Sequence, residues 1–330
     1  MLSRVAENLY WMARYLERAE DMGRLINSTT LLLLDLPHGT RFGWDLLLQV
    51  TGEGGYYQTH YGKPSEEHIM RFLIADRRHP SSIVAAIHQA RENCRVFRNL
   101  LPGEFWERIN SLYLFVQEGV EQQAVLDRRE RLSFLNEVIS RRHALVGLLV
   151  GSMSQNHAYQ FIKLGRNIER ADMTSRIVDV TTAVIMPSDP SLHDAVIQSV
   201  WVGVLRAMSA LEMYRHHVEV QIRPDRVVDF LLRDSKFPRS IHSCFADMEM
   251  ALSYLPNSAM PAETLGHIRL RLERMQLQGL HPSLLHEYLD QTQKNLAVLH
   301  HSIESTYFHF RETGLWGEAV LPETIGASQS

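Results

Sequence analysis

Apolar residues recur at three- and four-residue spacing along nearly every segment between the proline and glycine breaks of the chain. That spacing marks one face of an α-helix, and no convincing run of alternating β-branched residues bounded by turns predicts a strand. The pattern therefore predicts an all-α fold, a multi-helix bundle. Predicted helices cover about residues 3–35, 42–50, 65–75, 81–100, 103–120, 128–152, 157–185, 190–220, 224–232, 238–254, 261–277 and 282–311.

One long segment interrupts this pattern. Residues 51–64, TGEGGYYQTHYGKP, are too rich in glycine and tyrosine to predict a helix. A loop this long in a compact helical protein is often a lid or a binding loop, but it can equally be plain disorder, and the sequence leaves both open. Its Gly-Lys-Pro triplet is not a phosphate-binding loop, because it lacks the spaced second glycine and the Ser or Thr after lysine.

A charged helical motif occurs twice. RYLERAEDM at residues 14–22 returns as RNIERADMT at residues 166–174, a shift of 152 positions (from 14 to 166). The apolar positions return with it, at four-three-four-three spacing, which makes one continuous packing stripe on each helix. We therefore expect an internal duplication, in which these two helices are central and pack against each other about a pseudo-two-fold axis. The paired stripe positions are Met12, Leu16, Ala19, Gly23 and Ile26 in the first copy and Leu164, Ile168, Ala171, Ser175 and Val178 in the second.

The duplication predicts the domain organisation. No linker rich in proline, serine or glycine divides the chain, so the first helical half, 1–155, and the second, 156–312, are expected to form one body. Residues 313–330 have lost helical periodicity, and we expect them to be a mobile tail.

The repeated Glu-Arg pairs are the main candidate site. Arg18 falls on an arc with apolar and aromatic residues, so its guanidinium is expected to need a carboxylate, either Glu17, Glu169 or one from another helix. Two interpretations stay open: buried ion pairs that fix helix register, or a polar pocket whose carboxylates and arginines bind or transform a ligand. The candidate pocket residues are Arg14, Glu17, Arg18, Arg166, Glu169 and Arg170.

Composition narrows the functional classes. The net charge of −4 provides no cationic field for nucleic acid or an anionic membrane, so neither is expected as a partner. The apolar runs are shorter than the ~20 residues that cross a bilayer, and the amino terminus lacks the apolar region of a signal peptide. The two cysteines, Cys94 and Cys244, are expected to be reduced core thiols. Together these features predict a soluble, cytoplasmic protein.

Other catalytic and metal-binding signatures are missing from the sequence. The seventeen histidines form no His-Glu-x-x-His motif, and no Gly-x-Ser-x-Gly nucleophile elbow occurs. We therefore predict no metal and no cofactor, and the sequence identifies no catalytic residue.

Four ordered blocks carry a family resemblance: AENLYWMARYLERAEDMGRLI, ARENCRVFRNLLPGEFWERIN, GRNIERADMTSRIVDV and DFLLRDSKFPRSIHSC. Along nearly its whole length the chain resembles the bacterial alpha-E proteins, an all-helical family. The resemblance implies context more than mechanism: such proteins accompany circularly permuted ATP-grasp amidoligases and transglutaminase-like cysteine peptidases in predicted systems that make or attach short peptides. It also places a second candidate surface, either packing or a partner contact, on Arg91, Glu92, Trp106 and Glu107.

These observations lead to a functional hypothesis. We expect a helical accessory or scaffold protein of a peptide-ligation or peptide-modification system, binding the ligase, the peptidase or their peptide through a Glu/Arg-lined pocket. The alternative is an enzyme whose paired carboxylates, Glu17 and Glu169, perform acid-base or metal-assisted chemistry on a peptide or amide. Association of the chain with a second copy of itself stays open.

Overall fold

The computed structural model describes residues 3–36, 43–122, 125–185, 194–276 and 281–308. Every regular element in this part of the chain is helical, as predicted. The predicted mobile tail, 313–330, lies outside the described residues. The helices are α1 (Ser3–Asp35), α2 (Asp45–Thr51), α3 (Gly54–Tyr61), α4 (Glu66–Met70), α5 (Ile83–Val96), α6 (Gly103–Glu121), α7 (Arg128–Ser152), α8 (His157–Ile185), α9 (Asp194–Ala207), α10 (Leu211–His217), α11 (Pro224–Arg233), α12 (Ile241–Ser253), α13 (Ala259–Arg274) and α14 (Pro282–Tyr307).

The two helices that carry the repeated motif form the centre of the bundle. α1 and α8 pack along each other, as the matching apolar stripes predict. Helices α5, α7 and α9 surround α1, while α12 and α14 lie against α8. The apolar stripe residues are buried in both copies, so this helix pair contributes to the core of the part of the chain that the structure describes.

The close approach of α1 and α8 depends on one glycine. At Gly165 a Cβ atom would overlap the carbonyl oxygen of Tyr10 and lie 3.0 Å from its carbonyl carbon. A Cβ at Gly23, a small residue of the predicted stripe, would instead meet Ile139 of α7 at 3.6 Å, an ordinary contact distance. The absence of a side chain at Gly165 therefore lets the two helix backbones meet.

Two predictions about local structure were wrong. Residues 54–61 form helix α3, because Tyr57 and Tyr61, one turn apart, pack on Phe72 with ring centroids 5.3 and 5.4 Å away. This aromatic packing outweighs the low helix propensity of the glycines. The predicted helix 190–220 is interrupted between α9 and α10, where Ser209 has a φ of 55°.

Two connections between helices, residues 76–82 before α5 and residues 234–240 before α12, share one hydrogen-bond pattern. The Ser82 hydroxyl donates to the Asp76 carbonyl oxygen at 2.7 Å and caps α5, and the Ser240 hydroxyl donates to the Asp234 carbonyl oxygen and caps α12. Each serine follows a proline by two positions in the sequence. This likeness is of the kind that related halves would share, but the internal duplication itself stays a prediction.

No single helix of the described residues is long and apolar enough to span a membrane. One bent pair, 195–207 with 211–217 at an angle of 107°, has the length and composition for it.

Candidate functional site

The glutamates and arginines of the repeated motif form ion pairs between the two central helices. Glu169 of α8 accepts from Arg14 Nε at 2.7 Å and from Arg18 Nε at 2.5 Å, both on α1. Glu17 of α1 accepts in return from Arg170 Nε of α8 at 2.6 Å. Each motif glutamate is thus bound by arginines of the opposite helix. The reciprocal geometry is what a pseudo-two-fold relation between the helices would produce.

Glu17 is bound by arginines from more segments of the chain than Glu169 is. Its side chain is fully buried, and it pairs with Arg142 of α7 as well as with Arg170. It also lies 3.1 Å from the guanidinium of Arg239, which stands just before α12. One carboxylate therefore ties together α1, α7, α8 and the start of α12.

The pairs extend along α1 into a larger ionic network. Glu20 is bound by Arg24 at 2.7 Å and by Arg239 at 2.6 Å, and Asp21 is bound by Arg239 at 2.5 Å. Burial raises the pKa of Asp21 to about 6 despite the nearby charge of Arg239. The buried ionic network comprises Glu17, Glu20, Asp21 and Glu169 with Arg14, Arg18, Arg24, Arg142, Arg170 and Arg239.

Aromatic rings line the edge of this network on α1. The Arg14 guanidinium lies 4.8 Å from the ring centre of Trp11, and that of Arg18 lies 5.6 Å from Tyr15. The predicted setting of Arg18, against aromatic surface and paired with a carboxylate, is confirmed by these contacts. Both arginines are held on two sides, which orients their donors toward Glu169.

The charge of Glu169 is strongly stabilised in the folded protein. Burial alone would raise its pKa, but the charges of Arg18 and Arg14 outweigh burial and lower the pKa from 4.5 to about 2. A carboxylate with a depressed pKa stabilises the fold fully above its unfolded pKa, and this stabilisation is lost as the pH falls toward the folded value.

A pH titration of stability tests this pairing. Because the shift corresponds to about 3 kcal/mol, Glu169→Gln should be less stable than the unmodified protein by about that amount at pH 6. The difference should shrink between pH 4.5 and 2, when the native carboxylate also becomes protonated. Urea unfolding at several pH values measures it. A stability gap that stays constant down to pH 2 would contradict the ionised state of Glu169.

The four residues of the second candidate surface lie on α5 and α6. Arg91 pairs with Glu92 at 2.5 Å and stacks over Trp106 at 5.2 Å. Glu107, on α6, takes no part in these contacts, and with Trp106 it lines a cleft of about 450 Å³ facing α7. The four residues therefore lie near one another but serve two different environments.

The other clefts described in the structure are lined by residues outside the candidate pocket. One of about 920 Å³ lies between α6 and α7, one of about 720 Å³ borders α2 and α3, and one of about 400 Å³ lies against α13 and α14. Five of the six candidate pocket residues face one another in ion pairs, and Arg166 stands apart from those pairs. The five paired residues thus form ion pairs between α1 and α8.

Cys94 and Cys244 are free and buried, and burial raises the pKa of each thiol to about 12. No group of three or more His, Cys, Asp or Glu side chains that could hold a metal ion occurs among the described residues.

Two central residues of the network, Arg142 and Arg239, were not predicted from the sequence. Arg142 follows Leu135 and Val138 and precedes Leu145 at apolar-stripe spacing, so an arginine at a core position was the available signal. Arg239 lies in the second of the two connections that share a hydrogen-bond pattern. Neither residue belongs to the repeated motif, and only the three-dimensional packing brings them to Glu17.

A sequence model of a family described as a predicted alpha-helical domain with a conserved ER motif matches residues 1–308. Both Glu17-Arg18 and Glu169-Arg170 are Glu-Arg pairs within the matched residues.

The curated relatives are longer proteins. Uncharacterized proteins of Mycobacterium bovis and of Mycobacterium tuberculosis are each 23% identical over 306 residues, which cover 86% of this chain and 33% of the relative. Another M. tuberculosis protein, also uncharacterized, is 22% identical over the same length and coverage. The chain thus spans about a third of the length of these relatives. No solved structure matches the chain.

Proposed function

Because this chain belongs to the Alpha-E family, whose sequence model matches residues 1–308, we propose that it is a helical accessory protein that binds partners in a peptide-ligation or peptide-modification system. The partners in this proposal are those that the family resemblance implies. They are a circularly permuted ATP-grasp amidoligase, a transglutaminase-like cysteine peptidase, or the peptide on which these enzymes act.

The main support for a binding role is that Glu17 and Glu169 are each buried and paired with arginines of the opposite helix. A general acid or base needs a pKa near the working pH and an atom within reach of the substrate. The Glu169 side chain is only 4% exposed, and its pKa is lowered to about 2, because two arginines outweigh its burial. Glu17 is completely buried among three arginines. These features support a rigid frame over the alternative, an enzyme with paired catalytic carboxylates.

A rigid frame needs an accessible surface to act on a partner. Two clefts between α6 and α7, of about 920 and 450 Å³, share Phe115 and Glu118 and form one groove, which we call the α6/α7 groove. Its lining includes two residues of the second candidate surface, Trp106 and Glu107. Leu114 in this groove is 57% exposed, so apolar surface is available for a contact.

The charges of the α6/α7 groove indicate the chemistry of its occupant. Glu107, Glu118, Glu130 and Glu137 line it, while the one arginine among its lining residues, Arg141, pairs with Glu137 at 2.8 Å. Acidic walls around aromatic and aliphatic surface fit a partner segment that carries Lys or Arg side chains on apolar neighbours. We therefore place the docking site for the ligase or peptidase in this groove, with such a basic segment as its occupant.

Co-purification with a groove variant tests this assignment. Glu107→Arg combined with Glu118→Arg should weaken partner binding at least about tenfold, because like charges then face the basic segment. The matched control is Glu212→Arg with Glu287→Arg, two exposed glutamates outside the groove. All three proteins are isolated from native extract, and the recovered chains are identified by mass spectrometry.

The proteins recovered with each variant distinguish the accessory role from the docking site. We expect an ATP-grasp ligase, a transglutaminase-like peptidase or a peptide with the unmodified protein and the control, and a loss of it with the groove variant. Unchanged thermal midpoints would show that the variants are folded, since surface substitutions of this kind alter stability little. Recovery of the unmodified protein alone would contradict the accessory role, and equal recovery by the groove variant would contradict the docking site.

A further inference from the structure

Arg166 breaks the symmetry of the repeated motif. It corresponds to Arg14 under the shift of 152 positions, and Arg14 is paired with Glu169 at 2.7 Å. Arg166 forms no ion pair with any described residue, and its Nε atom is buried without a hydrogen-bond partner. The residue that would complete the symmetric pair, Glu17, is already bound by Arg142, Arg170 and Arg239.

The surroundings of Arg166 are rich in positive charge. Burial lowers its pKa, and the nearby charge of Arg170 lowers it further. Burial also lowers the pKa of Arg142, and Arg170, Arg239 and Arg166 add to that effect. An arginine that is largely removed from water and has no ion-pair partner is unfavourable unless an anion completes the site.

The charge of a nearby carboxylate, Asp247 of α12, raises the pKa of Arg166 in part. The ion pair of Asp247 is formed with Lys163, at 2.9 Å. Lys163, Arg166 and Arg170 stand at positions i, i+3 and i+7 of α8, so they share one helix face, which borders α12. The side chains of Lys163 and Arg170 are 18% and 12% exposed, so this face remains in contact with solvent.

We propose that Arg166 is the recognition point of an oxyanion site, at which it binds the carboxylate or phosphate group of a ligand. The planar guanidinium of arginine matches both groups with two parallel hydrogen bonds. Lys163 and Arg170, which are paired with Asp247 and Glu17, flank the bound group on the same helix face. In this site the external anion has the position relative to Arg166 that Glu169 has relative to Arg14. The site is formed by α8 and is separate from the α6/α7 groove, so it does not depend on the docking proposed there.

Anion-dependent thermal unfolding tests the site. The unmodified protein is titrated with sodium phosphate and, separately, with sodium acetate, each compared with sodium chloride at the same ionic strength. We expect the midpoint to rise by about 3 °C or more at saturation with at least one of the two anions. Phosphate alone would identify a phosphoryl ligand, and acetate would identify a carboxylate ligand.

Two variants locate the effect. Arg166→Met should bind the anion at least about tenfold more weakly, because it lacks the forked donors. Arg129→Met is the matched control, since Arg129 is exposed and outside the ionic network, and it should respond as the unmodified protein does. An equal rise in Arg166→Met, or no rise above chloride in the unmodified protein, would overturn the proposal.

A comparison with Arg14 excludes a merely structural role. In chloride buffer without the test anions, Arg14→Met should lower the unfolding midpoint, because Glu169 loses a partner. Arg166→Met should leave it unchanged or raise it, because a buried cation without an ion-pair partner is removed. If Arg166→Met lowers the midpoint as much as Arg14→Met does, Arg166 already has a structural partner and the site does not exist.

Discussion

Glu17→Gln is expected to lower the free energy of unfolding by about 3–5 kcal/mol, the usual cost of leaving buried charges without their partner. The substitution keeps the shape of the side chain but removes the charge that Arg142, Arg170 and Arg239 share. Four segments of the chain meet at this carboxylate, so the loss should appear as a single cooperative transition at lower denaturant. Urea unfolding followed by circular dichroism measures it.

A double-mutant cycle shows whether this loss arises from the ion pair itself. Glu17→Met and Arg142→Met should each be destabilising. The variant that carries both substitutions should be less destabilised than the sum of the two, because both charges are removed together. Glu118→Gln, at an exposed position of α6, serves as the control and should change stability by no more than about 0.5 kcal/mol. Additive effects of Glu17 and Arg142 would contradict their direct pairing.

Gly165→Ala is expected to destabilise the protein by about 3 kcal/mol, although alanine is the better helix former. The added Cβ would overlap the backbone carbonyl of Tyr10, and a backbone atom cannot turn aside as a side chain can. The α1/α8 pair would have to separate, which would also lengthen the ion pairs of Glu17 and Glu169. Thermal and urea unfolding of the variant measure the change.

A second glycine provides the matched control. Gly147 lies within α7, and a Cβ there would meet nothing within 4 Å. Gly147→Ala should therefore stabilise the protein by about 0.5–1 kcal/mol through helix propensity alone. If the two substitutions had the same sign, the close approach of α1 to α8 would not be the reason for glycine at position 165.

Several local features could be predicted from the sequence because short-range periodicity reports them. The bounds of α1, α7 and α8 agree with the apolar pattern, since long amphipathic helices have many positions that repeat the same signal. Helix α3 could not be predicted in this way. Its stability depends on the contact of Tyr57 and Tyr61 with Phe72, and a contact between separate elements leaves no periodic trace within 54–61.

The repeated motif identified several residues of the ionic network but did not show which of them pair with each other. Arg14, Glu17, Arg18, Glu169 and Arg170 were identified from the repeat, and the structure joins them by exchange between helices. Arg142 of α7 and Arg239 before α12 could not be identified in this way, because each is a single arginine outside the repeated motif.

Local periodicity and residue identity are enough to predict the helical class of the fold, the importance of the two motif helices and their family. Which arginine binds which glutamate depends on the tertiary packing. Glu17 binds three arginines, while Arg166, with the same place in the repeat as Arg14, forms no ion pair with the described residues. The physical reason is that electrostatic pairing depends on distance and burial, and these are set by helix crossing at Gly165 and by segments far apart in the chain.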